Sequence, residues 1–147
     1  MRFEGNVNID APREKVWEFL TDPNAVSQCI PGMETIEIIE PAKKFKVTAS
    51  VGLGNIKTSG TVDAEWIEMD APNFAKMKAH GTAPGSAVDI ISEMALSDSD
   101  DSGTQLNWSA DITVMGTIAS LASRMMGGVT KKLTNEFFNC VRSKIEG

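Results

Sequence analysis

From Met33 to Met115 the chain keeps a period of two, in six strand-like runs cut by turn signals at Pro41-Ala-Lys-Lys, Gly52-Leu-Gly-Asn, Asp70-Ala-Pro-Asn, Ala83-Pro-Gly and Asp98-Ser-Asp-Asp-Ser-Gly. Nothing else constrains the fold as much. The connections are too short for crossover helices, so neighbouring runs must pair antiparallel, as a meander. Such a sheet has an apolar face that needs a cover. From about Thr117 to Ile145 the period becomes helical, with Ile118, Ala122, Met125, Met126, Val129, Leu133, Phe137 and Cys140 on one face. This segment is long enough to cross the sheet. Its far face carries Arg124, Lys131, Asn135 and Arg142, and Gly127-Gly128 either weakens the helix or permits a close backbone approach.

Ahead of the meander, "RFEGNVNI" sets Phe3, Val7 and Ile9 on one parity, as in a strand. Asp10 is placed to cap a helix whose first turn holds Pro12. Val16, Trp17, Phe19 and Leu20 make its apolar side. Asp22-Pro23 interrupts it before a second short piece through Val26 to Cys29, and Pro31-Gly32 turns the chain. The order is therefore a strand, two short helices, six strands and a long helix, an α+β fold. With 147 residues and 41% hydrophobic content, one domain over 1–147 is expected.

Composition removes several classes of function. A net charge of -6 argues against a nucleic-acid binder, which needs clustered Lys and Arg to release counterions. Cys29 and Cys140 lie too far apart for a CxxC or zinc pattern, so free thiols and no metal are expected. "MRFEGNVNID" lacks the apolar core of a signal peptide, and no run approaches the roughly 20 apolar residues that span a bilayer. The expected location is cytoplasmic, with a peripheral position at the inner face of the membrane as the alternative.

Taking each strand's parity from its most apolar set, the concave face receives Phe45, Val47, Ala49 and Val51, then Ile56, Thr58, Gly60, Val62, Ala64 and Trp66. Ala75, Met77, Ala79 and Gly81 follow, then Val88, Ile90, Ser92, Met94 and Leu96, then Leu106, Trp108, Ala110, Ile112 and Val114. Ala49, Gly60, Ala79 and Ala110 cannot fill a wide curved sheet. Because proteins are close-packed, either the helix approaches closely here or a space remains. Methionines suit either reading, as core filler or as an adaptable lining. Trp66 and Trp108 are either core or a bracket for a flat ring.

In its order of elements, and in "APREKVWEFLTDPNAVSQCIPGMETIE", "GLGNIKTSGTV" and "TVMGTIASLASRMMGGVTKKLTNEFF", the chain resembles the CoxG family of carbon monoxide dehydrogenase subunits. That family belongs to the helix-grip superfamily related to START domains and birch-pollen-type allergens, and the resemblance covers essentially the whole chain. It implies a helix-grip fold, in which a seven-stranded curved antiparallel sheet wraps around a long C-terminal helix, with two short helices after the first strand. It also implies an apolar cavity between sheet and helix. Joined to the strand parities, this makes Val47, Ala49, Ile56, Gly60, Val62, Met77, Ala79, Ile90, Met94, Trp108, Ala110, Ala122, Met125, Met126 and Val129 the expected ligand-binding residues. Access is expected between the helix around Ala122 to Val129 and the facing strand turns. Members of the family commonly accompany molybdenum-containing carbon monoxide dehydrogenases, and longer ones continue into a linker and apolar tail. No such tail is expected here.

A general acid or base must reach the substrate, and the inward set holds almost no titratable group. His80 shares the outward parity of Lys76 and Lys78 and reads as a solvated strand residue. Cys29 reads as a small buried residue rather than a nucleophile, and Cys140 as part of the helix's packed face. "GLGNIKTSG" lacks the lysine and following helix of a phosphate loop. The leading expectation is a non-catalytic accessory protein that needs no cofactor and holds a hydrophobic small molecule, an isoprenoid quinone or another lipid. Its expected partner is a molybdenum hydroxylase of the carbon monoxide dehydrogenase type. The alternatives are a polyketide cyclase or aromatase-like enzyme using the same cavity, for which Thr58 and Ser92 are the chief inward polar groups, and a recruitment or assembly module making transient membrane-surface contact through Arg124, Lys131 and Arg142.

Overall fold

The structure, a computed structural model, describes residues 1–30, 32–41, 43–53, 56–99, 103–116 and 119–146, without the side chains of 51–53, 56–58, 121–123, 125 and 126. Strand β1 (Arg2–Ile9) leads into helices α1 (Arg13–Thr21) and α2 (Pro23–Val26) and a 3-10 turn over Ser27–Cys29. Six strands follow: β2 (Met33–Glu40), β3 (Lys44–Leu53), β4 (Ile56–Asp70), β5 (Phe74–Ala83), β6 (Ser86–Asp98) and β7 (Thr104–Gly116). Helix α3 (Ala119–Glu146) closes the order. All seven strands form one antiparallel sheet in the order β1-β7-β6-β5-β4-β3-β2, so the expected meander is closed on one side by the N-terminal strand. Register shifts in β2 and between Trp66 and Glu68 of β4 bend the sheet, as extra residues on one strand do. The architecture is the helix-grip fold that the resemblance implied.

Local chemistry accounts for most boundaries. Asp22 ends α1 and caps α2, its Oδ1 accepting from the Asn24 N–H at 3.0 Å with Pro23 in the first turn. Gly32 holds φ 75°, and a Cβ there would stand 2.0 Å from the Ser50 carbonyl oxygen, so only glycine fits this turn. Asp10 does not cap α1 as expected. Pro12 occupies that place without a side-chain bond, and the Asp10 N–H donates to Glu146 at 2.7 Å, tying the start of α1 to the end of α3. Thr104, fully buried, donates its hydroxyl to the Ala11 carbonyl at 2.7 Å and so fastens the same corner to β7.

The buried residues form two clusters. One joins Val7, Ile9, Val16, Trp17, Leu20, Leu96 and Leu106 to Val141 and Ile145 of α3. The other lies on the sheet and centres on Phe45, Val47, Ala64 and Ala79. The helical face named from sequence stops one turn short, because Val141 and Ile145 are the most deeply buried of the described side chains of α3.

The cysteines require a correction. Cys29 and Cys140, expected as free thiols, are joined by a disulfide with a Cα–Cα separation of 5.4 Å. The cause is tertiary: the 3-10 turn after α2 folds back onto α3 across 111 residues of sequence. Neither sulfur is a free nucleophile, and cysteine usage no longer argues for a reducing compartment. No described helix is long and apolar enough to cross a membrane.

Candidate functional site

Between the two clusters lies a chamber of about 490 Å³. Its sheet wall is built in rows, because antiparallel register sets inward residues side by side. One row runs Phe45, Ala64, Ala79, Ile90, and the next runs Trp66, Met77, Ser92, Ala110. Adjacent small residues, Ala64 beside Ala79 and Ser92 beside Ala110, leave the floor low where larger side chains would meet the helix. Leu133, Thr134, Phe137 and Phe138 of α3 form the roof, and Leu20, Thr21, Pro23, Val26 and Ile30 close one end. Phe137 and Phe138 meet edge to face, with centroids 5.0 Å apart.

Of the residues expected from sequence to bind a ligand, Val47, Ala49, Val62, Met77, Ala79, Ile90, Met94, Trp108 and Ala110 all line this chamber. Gly60 does not. A Cβ there would stand 2.5 Å from the Thr82 carbonyl oxygen, so the glycine serves close strand packing. Val129 is half-buried but does not border the chamber. The side chains of Ile56, Ala122, Met125 and Met126 lie outside the described residues, as do those of Val51 and Thr58. The described roof sits one to two turns further along α3 than expected.

Sequence reasoning left the closing residues out of the site. Leu20, Val26 and Ile30 carried a signal, being the apolar positions of the two short helices and their exit, yet a fold-closing role and a lining role look the same in one dimension. Gly127 and Gly128 lie within the continuous helix α3, and a Cβ at either would meet nothing within 4 Å among the described residues. Close backbone approach is therefore not their role.

The wall is nearly free of charge. Glu93 borders it, but its carboxylate lies 3.5 Å from Lys76 Nζ, whose strand neighbour in register it is. His80 is exposed and shares a 2.6 Å hydrogen bond with Asp89 across β5 and β6, consistent with the outward parity assigned to it. Apart from the indole N–H groups of Trp66 and Trp108, the other polar side chains on the described wall are hydroxyls: Thr21, Ser92, Ser109 and Thr134. Thr21 donates back to the Trp17 carbonyl at 2.7 Å.

The family model for CoxG, a carbon monoxide dehydrogenase subunit, matches residues 5–146. The chain belongs to that family. No curated protein matches it. Among solved structures, a conserved protein from Geobacillus kaustophilus superposes with a TM-score of 0.91 at 27% identity, covering 99% of this chain and 95% of that one. The ZhuI aromatase/cyclase from Streptomyces sp. R1128 gives a TM-score of 0.76 at 21% identity over 99% and 93% of the two chains. A START superfamily protein from Mycobacterium smegmatis gives 0.71 at 12% over 99% and 97%. The last two likenesses establish the fold and nothing finer. Within the CoxG family, this chain presents a cavity whose described walls are mostly hydrocarbon.

Proposed function

We propose that this CoxG-family chain is a non-catalytic carrier that holds a hydrophobic small molecule, with an isoprenoid quinone as the specific candidate, and serves a molybdenum hydroxylase of the carbon monoxide dehydrogenase type. The observation that carries the reading is the apolar chamber of about 490 Å³, within the 300–1,000 Å³ range of small-molecule sites. Burying about 400 Å² of apolar ligand there supplies on the order of 10 kcal/mol before ordering and association costs, enough for micromolar binding. Trp66 and Trp108 both line the space, and aromatic side chains suit contact with a flat ring. A dehydrogenase partner that feeds a respiratory chain must pass electrons to an acceptor dissolved in lipid, and a carrier that shields such an acceptor from water meets that need.

The second reading, a cyclase, is favoured by the likeness to the aromatase/cyclase fold. It requires a proton-transfer group within reach of substrate, and the described wall supplies chiefly hydroxyls. Organic extraction of the purified protein followed by mass spectrometry, then titration of the stripped protein with a fluorescent quinone analogue, separates the two. Co-purification of a quinone or lipid and recovery of the added analogue unchanged are expected. An empty extract together with no binding of quinone or fatty-acyl probes refutes the carrier, and chemical conversion of a polyketide substrate establishes the cyclase.

A further inference from the structure

A second hollow, of about 340 Å³, lies between β1 and α3. Trp108, Thr134 and Phe138 border both spaces, so the groove and the chamber share a partition. Their chemistry differs. The groove is edged by Asn6, Lys131, Asn135, Asn139 and Arg142, where the chamber has hydrocarbon. On α3, Lys131, Asn135, Phe138 and Arg142 recur every three or four residues and therefore share one stripe, which the structure turns toward β1. Sequence placed this stripe on a solvated outer face. Arg142 is instead half-buried.

The two cations of the groove are left unpaired among the described residues. Arg142 Nε is buried without a hydrogen-bond partner among the described residues. Neither Arg142 nor Lys131 has an ion-pair partner among them. Glu4, the carboxylate at the rim, lies instead 3.6 Å from Arg2. A buried guanidinium N–H left unpaired is costly, and its planar donor fork matches the oxygens of a carboxylate or phosphate. At Gly5 the chain comes close to the partition, since a Cβ there would stand 3.1 Å from the Trp108 indole. Strand, indole and helix thus frame a polar site set directly against the apolar chamber.

We propose that the β1–α3 groove binds the anionic oxygen head of an amphiphile whose hydrocarbon chain occupies the chamber, with Arg142 donating to the head and Lys131 supplying a second positive charge. The inference rests on the reading of the chamber as a hydrophobic site and not on the quinone candidate, since an anionic amphiphile is a different occupant from a neutral quinone.

Matched probes test it. Stripped protein is titrated with cis-parinaric acid and with its methyl ester, which share a chain and differ in head charge. The acid is expected to bind at least tenfold more tightly than the ester. Arg142→Gln should remove most of the preference for the acid and leave the ester unchanged, Arg142→Lys should keep more of it, and Lys131→Gln, at an exposed position, should remove a smaller part. Displacement of the bound acid by palmitate and by hexadecyl phosphate, with hexadecanol as the neutral control, ranks carboxylate against phosphate. Equal affinity of acid and ester in the wild-type protein overturns the proposal. So does an equal loss of both in Arg142→Gln, which marks a structural role, or a loss confined to attachment to phosphatidylglycerol vesicles, which marks a surface effect. Binding of the ester alone leaves the chamber reading standing and refutes the head site, whereas binding of neither refutes both.

Discussion

Replacing Ala79 with Phe gives opposite signs for a chamber and for a filled core. Ala79 lies mid-sheet between Ala64 and Ile90 in register, belongs to the sheet cluster and lines the chamber. A buried Phe side chain covers roughly 150–250 Å², on the order of 100 Å² beyond alanine once the stem is discounted. At about 25 cal/mol per Å² this is about 2.5 kcal/mol of added burial if the ring enters empty apolar space. In a closed core the same change costs about 1–3 kcal/mol through forced rotamers and backbone shifts. The two cases therefore differ by about 4 kcal/mol, well beyond the error of a denaturant midpoint. The assay is urea unfolding of protein stripped of ligand, with a parallel titration by a fluorescent quinone analogue. Stripped Ala79→Phe is expected to be more stable than wild type and to bind the analogue at least tenfold less tightly, a loss of about 1.4 kcal/mol. A destabilised variant with unchanged affinity would show that Ala79 packs against protein and that the chamber lies elsewhere.

Three further outcomes follow from the fold. Cys29→Ser should lower stability by about 2–5 kcal/mol, because the crosslink closes a loop of 111 residues in the unfolded chain; the oxidised protein should titrate no free thiol before reduction, and identical melting with and without dithiothreitol would contradict the bond. Gly127→Ala with Gly128→Ala should raise stability by about 1 kcal/mol per site, since both are exposed helical positions with open space at Cβ. If access runs past this segment, stopped-flow exchange of the quinone analogue should slow more than equilibrium affinity changes, and wild-type rates in the stabilised double variant would remove that route. Thr104→Val should cost about 1–3 kcal/mol in urea unfolding, because it strands the Ala11 carbonyl in a buried corner; a neutral result would mean that water reaches that carbonyl.

The sequence alone determined the element types and their order. Turn residues and the periods of two and 3.6 act over a few positions, so the meander, the Asp22-Pro23 break and the long final helix were legible without a structure. Strand parity also determined which residues face inward, hence the agreement at Val47, Ala49, Val62, Met77, Ala79, Ile90, Met94, Trp108 and Ala110. Parity names a face but not a neighbour. That Ala64 sits beside Ala79, or that Gly60 lies under the Thr82 carbonyl, depends on register, which hydrogen bonding between distant residues decides. The rotation and placement of α3 were likewise invisible, because a helical stripe reads the same whichever turn of it meets the sheet. Packing against α1 and β1 made Val141 and Ile145 the buried end and drew Arg142 into a groove. The Cys29–Cys140 bond joins residues 111 apart, a proximity that exists only once the 3-10 turn and α3 have docked.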